Sequence, residues 1–186
     1  MLSVRPATIA DVQSVARVDV ETWQATYAGV LPDHLLVGLS ERQRALVWSR
    51  FISRRPGDTV VAVEGAAGEP GRVLAFGSCG PQRDQDLAFA GEVFTLYVDV
   101  DYQGRGMGRQ VLLALFARLV RSGLYSAAIW VLADNPARFF YERVGGKPVA
   151  RRRLTMGRSE VEAIAYGWPD LAAVIQSRGR AKSRID

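Results

Sequence analysis

The sequence predicts an α/β domain built on a mixed sheet, and three observations carry that prediction. Short runs rich in β-branched and aromatic residues recur from end to end. Between them, apolar residues repeat at three- and four-residue steps, as a helix face requires. In the middle, a strand over residues 92–100 meets a turn through Gly104, Gly106 and Gly108, then an apolar stripe of Val111, Leu112, Leu115, Phe116, Leu119 and Val120.

Leu2, Ser3, Val4 and Arg5 form a short opening strand that Pro6 ends. Thr8 with Asp11 three positions on marks a helix start, and Val12, Val15, Ala16, Trp23 and Tyr27 continue that helix until Gly29 and Pro32. A second helical stretch covers about residues 33–39. A third starts at Ser40 with Leu46, Val47, Phe51 and Ile52 as its apolar face, and Pro56-Gly57 stops it. Residues 59–64 and 72–78 read as a hairpin around the 65–71 turn region, and residues 81–90 as a loop. After the central strand and helix, Ser122-Gly123 is a stop and residues 127–132 are a buried strand. Asn135-Pro136 opens a short helix that Gly145-Gly146 ends. Residues 149–155 and 161–168 close the chain as an antiparallel pair around Gly157. Most hairpins therefore lie in the middle and at the end.

Composition narrows the function. The 186 residues suit one domain, and 48% apolar with 23% charged content is ordinary for a globular protein. A lone cysteine, Cys79, allows no disulfide framework within the chain, and with the single His34 it cannot supply a metal-ligand set. No apolar run is long enough for a membrane span and no leader pattern opens the chain, so the expected location is the cytoplasm. The net charge of +5 is concentrated at the end: Arg178, Arg180, Lys182 and Arg184 against Asp186 give +3, leaving +2 for the rest. No aromatic residues interleave with those charges, which argues against nucleic acid as a partner. Residues 169–186 are expected to be a C-terminal extension with a basic flexible tail, residues 1–168 the domain proper.

Strand, glycine turn and helix together leave a row of backbone N–H groups at a helix N-terminus, a cradle for pyrophosphate. Arg105 and Arg109 add charge beside it. The turn lacks the Lys-Ser/Thr of a Walker loop and the Gly-x-Gly-x-x-Gly spacing of a dinucleotide site. The run Gln103-Gly104-Arg105-Gly106-Met107-Gly108 fits Gln/Arg-x-x-Gly-x-Gly instead, and resembles the acyl-CoA loop of the GNAT superfamily of N-acetyltransferases. Asn135-Pro136-Ala137-Arg138-Phe139-Phe140-Tyr141-Glu142 is similar to the same family's second signature. The element order also resembles the GNAT fold to about residue 168, which implies a mixed, mostly antiparallel central sheet flanked by helices.

The resemblance implies acetyl-CoA as co-substrate, no metal, and a primary amine, small or on a peptide, as acceptor. The main chain at Leu96, Tyr97 and Val98 would pair with the pantetheine arm, the Val98 N–H polarising the thioester carbonyl. The amides of Gly104, Arg105, Gly106, Met107, Gly108 and Arg109 would hold the pyrophosphate. Tyr141 matches the family's general acid; a helix tyrosine packed on the sheet is the alternative. Asn135 would bond the pantetheine amides, or simply cap a helix. Glu92, counted by a strict period of two onto the face of Val98, matches a general base found in some branches; otherwise it is a strand-entry carboxylate. Trp23 and Tyr27, one turn apart, would shape the acceptor site, or pack in the core. Val100 stands where many relatives carry Pro, and Gly146 where Phe is common. The expected activity is direct acetyl transfer in a ternary complex; the alternative is a non-catalytic acyl-CoA binding or sensing domain. The closing strand pair could also pair across a homodimer.

Overall fold

A computed structural model describes residues 2–65, 71–156 and 159–182. Strand β1 (Leu2–Pro6) leads through a 3-10 turn to α1 (Val12–Tyr27), then α2 (Asp33–Val37), α3 (Glu41–Arg54), β2 (Thr59–Glu64), β3 (Arg72–Pro81) and β4 (Gly91–Val98). A second 3-10 turn precedes α4 (Met107–Arg121), followed by β5 (Ala127–Leu132), α5 (Arg138–Arg143), β6 (Lys147–Met156), β7 (Ser159–Trp168) and α6 (Leu171–Lys182). The seven strands form one sheet in the order β1-β2-β3-β4-β5-β7-β6. Every pairing is antiparallel except β4 with β5.

The capping pair acts as its spacing suggests: Asp11 accepts from the Thr8 backbone N–H at 2.8 Å and from its hydroxyl at 2.9 Å. One sheet face packs on α1 and α3, through Val15, Ala16, Trp48 and Phe76. The other packs on α4, through Val111, Leu115 and Phe116 against Leu74 and Ile129.

Two expectations about elements need correction. On α3 the buried side chains are Ala45, Trp48 and Ile52, whereas Leu46 and Val47 are more than half exposed. The apolar stripe is rotated because Trp48 turns inward, where its indole donates to buried Asp19 at 2.8 Å. The C-terminal extension is also more than a tail. Residues 171–182 are helical, and Leu171, Val174 and Ile175 join the α4 core on one helix face. Gly157, Arg184 and Asp186 lie outside the described residues, as do the side chains of Arg178, Arg180 and Lys182.

The feature that positions the site is a bulge. Along the β3–β4 ladder the register jumps: Ser78 faces Thr95 but Cys79 faces Val93, so Phe94 is an extra residue in β4. An extra residue bends a strand and increases its twist. The parallel pairing of β4 with β5 accordingly stops after Gly91–Ala127 and Glu92–Ala128. From Val93 onward the β5-facing edge of β4 makes no ladder bonds, and a cleft opens between two strands of one sheet.

Candidate active site

The open edge ends at Val98. The Asp99 N–H donates to the Leu74 carbonyl of β3 at 2.8 Å. Because backbone groups alternate in direction along a strand, Tyr97 also turns its main chain to β3, and Leu96 and Val98 turn theirs into the cleft. Of the three residues expected to pair with a pantetheine arm, only Leu96 and, by its N–H, Val98 therefore offer free backbone there. Tyr97 reaches the site through its side chain. The Val98 carbonyl accepts from Gln103 Nε2 at 3.3 Å and Thr22 Oγ1 at 3.4 Å, so Gln103 ties the loop back to the strand end.

The loop then passes Gly104 at φ +74° and Gly106 at φ +80°, a region that only glycine enters at little cost. A Cβ at either position would meet nothing within 4 Å. Gly106 is the N-cap of α4, with no side-chain cap and no acidic residue in the first turn. The first intrahelical bond is Gln110 N–H to Gly106 at 3.2 Å, so the amides of Met107, Gly108 and Arg109 are free for an anion. The Met107 side chain is 4% exposed and belongs to the core. Arg105 lies over the Tyr102 ring at 4.9 Å and donates to the Asp101 carbonyl. Arg109 lines a cavity of about 410 Å³ between α4, the α5 terminus and α6, which it shares with Arg143. Sequence reasoning passed over Arg143; its place two residues after Tyr141 was the available signal.

Beside the cleft, four predicted residues converge with Tyr97. The Trp23 indole donates to the Tyr97 hydroxyl at 2.8 Å, and its ring lies 5.0 Å from Tyr27. Asn135 Nδ2 donates to the Tyr27 hydroxyl at 3.0 Å, while Asn135 Oδ1 accepts from the Ala137 N–H at 2.8 Å. Asn135 thus caps the turn before α5 and bridges to α1. Tyr141 is 4% exposed, with its ring against Phe140, Tyr166 and Trp168. Its hydroxyl makes no hydrogen bond among the described residues. Burial, reinforced by neighbouring Tyr27, raises the Tyr141 pKa well above the usual phenol range. Burial likewise raises Tyr97, with Asp19 adding to the effect, and burial raises Tyr27 against the opposing bond from Asn135. All three are neutral O–H groups at physiological pH.

Glu92 is not brought to this group. The bulge at Phe94 breaks the period of two, so Glu92, opposite Gly80, lies on the α3 face while Val98 packs on the α4 side. Its carboxylate is 5% exposed and held by Arg83, with Nη2 at 2.6 Å and Nε and the backbone N–H both at 3.1 Å. His34 is exposed on α2. Cys79 is buried, and burial followed by the Asp58 charge pushes its thiol up to about 12, far from a reactive thiolate.

Gly146 has a reason of its own. A Cβ there would lie 2.6 Å from Cζ2 of Trp168 and 3.0 Å from the Tyr141 carbonyl. The Trp168 indole, bonded to the Val144 carbonyl at 3.0 Å, fills the space that an aromatic side chain at 146 would take. Gly146→Phe is expected to destabilise the fold by about 1–3 kcal/mol through overpacking, read as a lower urea midpoint. Adding Trp168→Ala to it should cost less than the sum of the two single changes; simple additivity would contradict this packing.

The sequence profile of the acetyltransferase (GNAT) family matches residues 21–146. The chain belongs to the GNAT acetyltransferase family. It is thereby an acetyl-CoA-dependent acyltransferase. An uncharacterized N-acetyltransferase of Bacillus subtilis (strain 168), YuaI, is 30% identical to this GNAT chain over 174 residues, 94% of this chain and 96% of its own length. PaiA N-acetyltransferase from Thermoplasma acidophilum, solved with coenzyme A, superposes with a TM-score of 0.66 at 19% identity, covering 90% of this chain and 99% of that one. YncA of Salmonella typhimurium, a putative acetyltransferase solved with acetyl-CoA, gives 0.67 at 18% identity over 92% and 94%. The likeness to both is one of fold, over this chain's seven-stranded, mostly antiparallel sheet flanked by helices. Among the described residues, no helix is long and apolar enough to cross a membrane.

Proposed function

We propose that the protein transfers the acetyl group of acetyl-CoA directly to a primary amine within a ternary complex. The observation that carries this reading is the junction of two free backbone surfaces, the cleft edge of β4 at Leu96 and Val98 and the uncapped N-terminus of α4, beside the buried Tyr141. An extended pantetheine arm adds to the β4 edge as a strand would. The free amides of α4 and the open left-handed glycines receive the pyrophosphate, with Arg109 and Arg143 beside it.

Each group then has one task. The Val98 N–H points at the thioester carbonyl and stabilises the charge that develops on its oxygen. Tyr141 donates its proton to the departing sulfur, and the phenolate recovers a proton from the nitrogen that has formed the new amide. The proton lost by the amine thus ends on the thiol, and no charge is left on the protein. A phenol with a raised pKa is a poor free acid, so donation is concerted with sulfur departure. Asn135, bonded to Ala137 and Tyr27, positions the α5 turn and the tyrosine cluster.

Glu92 takes a different part from the base that its sequence position suggests. Paired with Arg83 and roughly 20 Å along the strand from Val98, it holds the loop before β4, and the amine arrives neutral or loses its proton to water.

Incubation with acetyl-CoA and a panel of primary amines should release one thiol per acetylated amine formed. Thiol release that does not depend on any amine, or none with every amine, would contradict transfer and leave the acyl-CoA sensing reading.

A further inference from the structure

A second cavity, of about 310 Å³, opens between α1, the α1–α3 connection and the end of β6. Trp23, Leu35, Leu36, Leu39 and Met156 line it, with Thr155 as the polar exception, and no carboxylate among the described residues does. It adjoins the transfer site through Trp23, whose indole bonds Tyr97 and whose ring packs on Tyr27. A cation, Arg44, lies over the Trp23 ring at 5.7 Å and pairs with Asp19. Asp33 and His34 sit on α2 but are exposed and do not line the cavity.

Resting on the transferase reading, we propose that this cavity selects the acceptor: a primary amine carrying one compact apolar group, aliphatic or aryl, close to the nitrogen. The volume corresponds to roughly ten water molecules, room for one such group. An ammonium placed among these leucines would lose its hydration with no carboxylate in return, so polyamines are excluded. The same walls aid the chemistry. Apolar surroundings disfavour the charged form of an amine, which supplies the neutral nucleophile at a site where Glu92 is engaged elsewhere.

The test compares kcat/KM at saturating acetyl-CoA for 2-phenylethylamine and isoamylamine against putrescine and spermidine. Two tripeptide amides, beginning with Leu or Lys, show whether the apolar group arrives on a free amine or a peptide N-terminus. Apolar amines, or the Leu peptide, should exceed their cationic counterparts by about tenfold or more. Leu35→Asp should remove about tenfold of that advantage with acetyl-CoA affinity within about twofold of wild type by titration. Putrescine or spermidine equal to or better than the apolar amines would overturn the proposal and leave the transferase reading standing. So would Leu35→Asp with an undiminished apolar preference. Acetyl-CoA binding without turnover of any amine would overturn both.

Discussion

Tyr141→Phe is expected to lower kcat by about 10² to 10⁴ fold while leaving acetyl-CoA affinity unchanged. The substitution keeps the ring that packs on Phe140, Tyr166 and Trp168 and removes only an oxygen with no hydrogen-bond partner among the described residues. Folding stability should therefore stay within about 1 kcal/mol. That separation distinguishes a proton donor from a packing residue. A tyrosine that only packs would lose neither rate nor stability on this change. The raised pKa also sets the pH response: the phenol keeps its proton below pH about 10, so Tyr141 should add no falling limb to kcat between neutrality and that pH. Full turnover in the Phe variant would remove Tyr141 from the mechanism.

Gly106→Asp should weaken acetyl-CoA binding by about 100-fold or more, equivalent to about 2.7 kcal/mol. Aspartate is favoured at helix N-caps and tolerates left-handed backbone better than most residues. The cavity side is open, since a Cβ at Gly106 meets nothing within 4 Å. The helix is therefore expected to survive, at a strain of about 1–2 kcal/mol from φ +80°. The anion is not: the new carboxylate would bond the very α4 amides that a pyrophosphate needs and would repel its charge. Circular dichroism like wild type with lost binding is the predicted pair of results. Unchanged affinity would place the cofactor elsewhere.

How far the sequence could be read depended on the range of each determinant. The β4 strand, the glycine turn and the α4 stripe were legible because their causes are local: β-branched residues, three glycines and a repeat at three and four positions. The bulge at Phe94 was not, since it arises from register against β3 and β5, and it is what separates Glu92 from Val98. Gly146 looked like a lost packing group until Trp168, on another strand, proved to occupy the space. The bond from Asn135 to Tyr27 joins residues 108 positions apart, so no spacing rule could pair them. Helix α6 did carry a signal that was passed over: Pro169-Asp170 before Leu171, Val174 and Ile175, with the Asp170 carboxylate accepting from the Ala173 N–H at 3.0 Å. The basic residues beyond, taken alone, have the composition of a tail.

The central claim is that the cleft edge of β4 and the N-terminus of α4 form one seat for acetyl-CoA. Calorimetric titration of the wild-type protein with acetyl-CoA, beside NAD and ATP, tests it most directly. Saturable binding of one acetyl-CoA per chain, with NAD and ATP far weaker, is the predicted result. No binding of acetyl-CoA would contradict the account and return the glycine turn to a simple connection between β4 and α4.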